Sequence, residues 1–204
     1  MATKQNLIDT FYQYLRKVAP GTSPHRLLVE QNMARAWNQI LHDTFRKDLT
    51  FLDFYAKDYK SQTVSIDGDT QQYYTDLPVA IVQLPDKSEG VRSVEPGDQT
   101  YNPLIPSGTG VKFMPISDTM MKLKDNIDVG LSESSVIGYA VRYNKIMFDR
   151  SMTAAEAAKK VHMKLVIPFD AYGGTEEIPV PSGKDEDLYR LTVSFMLGIQ
   201  SQNK

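Results

Sequence analysis

Ile137-Gly138-Tyr139-Ala140-Val141-Arg142-Tyr143-Asn144-Lys145-Ile146-Met147-Phe148 is the stretch whose reading decides the fold class. Two short apolar runs, 137–141 and 145–148, flank Tyr143-Asn144. This is the best β-hairpin pattern in the chain, with the turn at those two residues. A strand-rich middle built around it, between helical ends, makes the chain α+β.

Working outward toward the C-terminus, the Ala-rich run from Thr153 to Lys160 predicts a short helix. Val161 to Ile167 alternates and predicts a strand, with Val161, Met163, Leu165 and Ile167 on one face. Pro168 ends it. Gly173-Gly174, Pro179 and Pro181 mark an exposed connection. A closing helix is expected over about 184–199, with Asp185, Glu186 and Asp187 in its first turn, where the helix dipole favours negative charge. Leu188, Leu191, Phe195 and Ile199 form its apolar face.

Toward the N-terminus, Val111 to Met114 reads as extended and Ser117 to Lys124 as a short helix. The loop 95–110 holds Pro96, Gly97, Pro103, Pro106, Gly108 and Gly110, too many breakers for regular structure. A loop of that length in a compact domain is usually functional or ordered by a partner. Strands are predicted at Gly90 to Val94, Val79 to Leu84, Gln72 to Thr75 and Gln62 to Ile66. Asp67-Gly68-Asp69 turns between the last two. Short strands at this spacing predict an antiparallel β-sandwich or barrel-like middle.

The first 60 residues read as helical. Thr3 is the N-cap of a helix carrying Leu7, Ile8, Phe11, Leu15 and Val18 at helical spacing, and Pro20-Gly21 stops it. Ser23-Pro24 is expected to start a second helix as cap and first helical position. One stripe of that helix is Val29, Met33, Ala36, Trp37 and Ile40. A second is Leu27, Ala34, Leu41 and Phe45. Two stripes mean packing on more than one side, either inside the chain's own core or against a neighbouring subunit. Leu49 to Tyr59, with Phe51, Phe54, Tyr55 and Tyr59, is a short helix or a docking loop. The expected organisation is therefore a helical segment 1–60, a β domain 61–183, and a C-terminal helix and tail 184–204.

The chain has 204 residues, 41% hydrophobic and 24% charged, which suits one folded domain with a proper core, or one domain plus a small appendage. Net charge is −2, so the whole molecule is no basic nucleic-acid binder. Residues 1–60 carry nine Lys/Arg against six Asp/Glu, leaving the acidic surplus in the remainder. Cysteine is absent, which removes disulfides and thiolate chemistry. The polar start predicts no signal peptide. Nothing approaches the ~20 apolar residues of a membrane helix, so no membrane partner is expected.

Searches for catalytic, cofactor or metal residues end without a candidate. His25, His42 and His162 lie on separate elements with no zinc-type spacing. Ser107-Gly108-Thr109-Gly110-Val111-Lys112 lacks the order of a phosphate loop. Asp67-Gly68-Asp69 lacks the ligand series of a calcium loop. Asp185-Glu186-Asp187 is explained by helix-end charge. Tyr73-Tyr74 should place one ring on each face of a strand, and an outward Tyr is a common interface residue. The interface candidates are Val29, Met33, Trp37, Ile40, Leu41, Phe45, Tyr73 and, in the long loop, Tyr101.

The hairpin 137–148, the strand after it, the Pro179-Val180-Pro181 connection and the helix with Leu188-Tyr189-Arg190-Leu191-Thr192 together resemble the head–tail connector ring proteins of tailed bacteriophages. Residues 1–60 resemble the helical part of the same proteins more loosely. The overall look is nearest to structural proteins of crAss-like phages. The resemblance implies a structural, non-enzymatic role in the virion, assembled in the host cytoplasm. It implies a closed homo-oligomeric ring, a dodecamer among the copy numbers open to it, between the portal protein and adjacent tail or ring proteins. Genomic DNA would pass through the channel without specific binding. The competing readings are a ligand- or carbohydrate-binding β-domain, an enzyme without a recognisable motif, and a bacterial scaffold or chaperone unrelated to phage.

Overall fold

The computed structural model describes residues 2–83, 90–97, 112–117, 119–121, 136–149 and 160–198. Its elements, in chain order, begin with β1 (Ala2–Thr3), α1 (Lys4–Val18), α2 (Arg26–Lys47) and a 3-10 helix over Leu49–Tyr55. Strands β2 (Lys57–Gln62), β3 (Ser65–Ile66), β4 (Tyr73–Asp76), β5 (Val91–Pro96) and β6 (Lys112–Pro115) follow. The chain continues with β7 (Val136–Arg142), β8 (Lys145–Phe148), β9 (Val161–Leu165), a 3-10 helix over Phe169–Ala171, β10 (Glu177–Ile178) and α3 (Asp185–Met196). The fold is α+β, as expected.

The chain forms two compact units. The first comprises Met1–Lys57, Ile81–Leu84 and Val166–Lys204, and the second Asp58–Ala80 and Pro85–Leu165. This division differs from the expected one at residues 58–60 and 81–84 and, with larger consequences, after residue 165. The connection after β9 and the C-terminal helix belong with the N-terminal helices, because α3 packs along α2 and β1 pairs antiparallel with β10.

In the first unit, Thr3 caps α1 as its sequence predicts, accepting from the Asn6 amide at 3.2 Å. Leu7, Ile8, Phe11 and Leu15 are buried, whereas Val18, expected on the same face, is exposed in the last turn. The second helix starts two residues later than Ser23-Pro24 suggests. His25 is its N-cap, its Nδ1 accepting from the Leu27 amide at 3.3 Å. The apolar stripe of α2 forms the centre of the unit: Val29, Met33, Ala36, Trp37 and Leu41 are buried. The larger of these side chains each contribute roughly 1.5–3 kcal/mol of transfer free energy. Around Trp37 the rings of Tyr55, Phe169 and Tyr172 lie 5.5, 6.5 and 6.4 Å away, in edge or tilted arrangements. Two polar side chains sit inside this core and both are satisfied. Asn32 donates to the Leu28 carbonyl and Thr192 to the Leu188 carbonyl, each one turn back.

The second unit contains two sheets. The three-stranded sheet has the order β2-β9-β5, with β5 and β9 antiparallel and Val94 opposite Met163. The five-stranded sheet has the order β3-β4-β8-β7-β6. Its β7–β8 hairpin turns at Tyr143-Asn144, with Val141 opposite Ile146. Met121, Ala140 and Met147 form a buried cluster against it, with Tyr74 and Ile116 alongside. Among the described residues the sheets do not close, so the barrel-like alternative falls away.

Four local expectations change. First, β6 runs parallel to β7, with Phe113 opposite Ile137, where an all-antiparallel middle was expected. Second, residues 79–83 form no strand; there the Val82 amide donates to the Val166 carbonyl. Third, the run 62–66 is not one strand: β2 ends at Gln62 just after Ser61, whose φ of +59° interrupts extended backbone. Fourth, the strand expected through Ile167 ends at Leu165, and Val166 and Ile167 leave it as a buried segment before Pro168. The helices expected at 153–160 and 117–124 lie largely outside the described residues, as does most of the loop 95–110.

Candidate protein-contact groove

The C-terminal half of α2, the 3-10 helix Leu49–Tyr55 and one face of α3 enclose an open groove of about 1280 Å³ in the first unit. Its shape follows from how the aromatic segment folds. Asp48 ends α2 and its carboxylate accepts from the Thr50 amide and hydroxyl at 2.9 and 2.7 Å. Those bonds hold the Asp48 carboxyl below its ordinary range and start a tight helical turn. With about three residues per turn, Leu52 and Tyr55 then share a face and point into the core. Phe51 and Phe54 share the other face, their rings 6.0 Å apart, and stand 52% and 62% exposed.

Phe195 on α3 adds a third exposed ring at the groove. Ile40 and Leu191 supply further apolar lining. The rim is charged and internally paired. Asp187 accepts from Lys184 at 2.8 Å and from Arg190 at 3.2 Å. The hydrogen bond from Lys184 is the main reason the Asp187 carboxyl titrates below its ordinary range, with attraction to Lys184, Arg190 and Lys47 adding to it. Burial pushes the Tyr55 hydroxyl up, opposed by its hydrogen bond with Thr44.

Paired charges at the rim and exposed rings give this surface a definite chemistry. Clustered exposed aromatic groups on a concave face are characteristic of sites that receive apolar side chains from another protein. Among the described residues no group of three His, Asp or Glu side chains is placed to hold a metal ion. No described helix is long and apolar enough to cross a membrane.

The interface residues expected from sequence fall elsewhere. Val29, Met33, Trp37 and Leu41 are at most 1% exposed and Ile40 is 8% exposed, so their surface is spent on the unit's own core. For these five, packing inside the chain replaces packing against a neighbour. Phe45 is half-buried at the end of α2, and Tyr73 is half-buried on β4, opposite Ile66. Tyr101 lies outside the described residues. Of the expected candidates, Ile40 alone lines the groove. Phe51 and Phe54 were visible in sequence as an aromatic-rich segment with an i, i+3 pair, but nothing local says which face turns outward. No known family model matches this chain, and no characterised protein matches it.

Proposed function

We propose that this chain is a structural subunit that works through protein–protein contact, forming an oligomeric ring at the head–tail neck of a tailed phage, between portal and tail. The observation that carries the contact reading is the aromatic groove of the first unit. Phe51, Phe54 and Phe195 are partly exposed there. Leaving such rings in water forgoes burial worth roughly 25 cal/mol per Å² of apolar surface. A partner that covers them recovers it. The phage setting is supported by the sequence resemblance over 137–199 and, more loosely, 1–60. A ring subunit needs two different complementary surfaces, one for each neighbour. The groove supplies one of them.

Mass photometry and negative-stain microscopy of the purified protein test the reading, alone and with a portal protein. Closed rings, in either sample, are the expected result. A persistent monomer in both, binding a small molecule in the groove, would overturn it in favour of a ligand-binding domain.

A further inference from the structure

We infer that residues 172–178 form an acid-released clasp on the start of α1, fastened by the Glu176 carboxylate. The clasp lies wholly within the first unit and depends on neither the groove nor the ring.

The first amides of a helix have no partner inside it. In α1, Thr3 Oγ1 takes the Asn6 amide, and a segment from the far end of the chain takes the two before it. The Lys4 amide donates to the Glu176 carbonyl at 3.1 Å and the Gln5 amide to the Gly174 carbonyl at 3.0 Å. Beside them, Thr3 pairs with Glu177 and Ala2 with Ile178. Lys4 Nζ adds a bond to the Tyr172 carbonyl at 3.2 Å. The start of α1 is therefore as firm as the segment 172–178 that receives its amides.

That segment has little stiffness of its own. Gly173 and Gly174 follow one another, and glycine leaves the backbone more freedom than any other residue. Glu176 sets its shape. The Glu176 amide donates to the Gly173 carbonyl at 3.1 Å, and the carboxylate closes the same turn, Oε2 accepting from the Gly173 amide at 2.8 Å. Oε1 accepts from Lys57 Nζ at 2.9 Å. Lys57 is itself placed over the buried Tyr172 ring, 5.5 Å from its centroid. One side chain thus ties the glycine turn to itself and to the start of β2.

Both bonds are strongest to a charged carboxylate. The hydrogen bond from Lys57, and after it that from the Gly173 amide, hold the Glu176 carboxyl below its ordinary value of 4.5. The charged groups on the elements around it are Lys57 on β2, Lys4 and Asp9 on α1, and Glu177 on β10. A carboxyl held low in the folded state contributes stability that is present above its unfolded value and lost as pH falls through the lower folded one. Protonation loosens Gly173-Gly174 and, with them, the carbonyls that hold Lys4 and Gln5. The Glu176 side chain is 45% exposed, so water screens these bonds and the opening is confined to the clasp.

Hydrogen exchange of single backbone amides, expressed as protection factors, tests this in the full chain. Between about pH 6.5 and about pH 3.5, protection of the Lys4 and Gln5 amides should fall about tenfold further than that of the Leu41 amide in the core of α2. Glu176→Gln keeps the shape of the side chain and removes its charge. It should lower the same two amides already at the higher pH and abolish their extra fall at the lower. Lys57→Met should move that fall to higher pH, because the carboxyl loses the partner that holds it low. Protection of Lys4 and Gln5 that stays constant, or that falls only in step with Leu41, overturns the clasp. An extra fall that persists in Glu176→Gln assigns the acid response to another carboxylate and overturns it too.

Discussion

The indole Nε1 of Trp37 donates to the backbone carbonyl of Ile167 at 3.1 Å, between residues that are both buried. This bond ties the middle of α2 to the segment that leaves β9. It satisfies a buried carbonyl. Trp37→Phe keeps an aromatic ring but orphans that carbonyl and leaves a void. The expected loss is about 2–4 kcal/mol of stability, combining an unsatisfied buried acceptor with a cavity. Urea unfolding followed by far-ultraviolet circular dichroism checks it. A loss under about 0.5 kcal/mol would mean that the bond contributes nothing net.

Gly138 is fixed by close approach. Its amide donates to Asp149 Oδ1 at 2.8 Å, and the Asp149 amide returns a bond to the Gly138 carbonyl at 2.9 Å. A Cβ at this position would collide with the Asp149 carboxylate and come within 2.7 Å of Ile116 Cδ1. Gly138→Ala should therefore destabilise the protein by about 1–3 kcal/mol through overpacking. Combining it with Asp149→Ala should give a loss smaller than the sum of the two single changes, because the collision partner is gone. Strict additivity in thermal or urea unfolding would show that the contact is not the cause.

Burial raises the Tyr139 hydroxyl to about 12, with Arg92 opposing the shift. The folded state therefore holds this proton more tightly than the unfolded chain, whose tyrosines release theirs near pH 10. Stability from Tyr139 is complete below that pH and declines as pH rises toward 12. The total change is of order 2–3 kcal/mol. Tyr139→Phe should flatten the part of the stability profile between pH 10 and 12. An unchanged slope would assign the alkaline loss to other tyrosines, among which Tyr55 and Tyr189 are also raised by burial.

Tyr143 turns the β7–β8 hairpin with φ of +55° while its side chain is exposed. A left-handed backbone is strained for a residue with a Cβ, and this ring gains little packing in return. Tyr143→Gly should raise stability by about 0.5–1 kcal/mol, the strain relief exceeding the added entropy of the unfolded chain. A thermal midpoint below that of the wild type would show that the ring has a packing role.

Phe51 and Phe54 separate stability from contact. Both are half or more exposed, and the 3-10 helix is anchored through Leu52 and Tyr55 instead. Phe51→Ser and Phe54→Ser should each change folding stability by less than about 0.5 kcal/mol while weakening assembly. A large loss of stability from either would make these rings part of the core and remove them from the contact surface.

The sequence alone determined the local features. The Thr3 cap, the stop at Pro20-Gly21, the hairpin at 137–148 and the apolar stripe of α2 were all legible. Each depends on residues fewer than about ten positions apart, whose geometry repeats wherever a helix or hairpin forms. Tertiary structure decided what those features face. Trp37 reaches a carbonyl 130 positions away, and Lys57 pairs with Glu176 across 119. The joining of α3 to the N-terminal helices, the parallel pairing of β6 with β7 and the outward turn of Phe51 and Phe54 are contacts of that long-range kind. A stripe of apolar residues states that a face must be covered, and its spacing carries no information about which distant segment covers it. That is why the α2 stripes left open both the chain's own core and a subunit interface until the folded chain buried the first of them, and why the groove became visible only once α2, the aromatic 3-10 helix and α3 had been brought together.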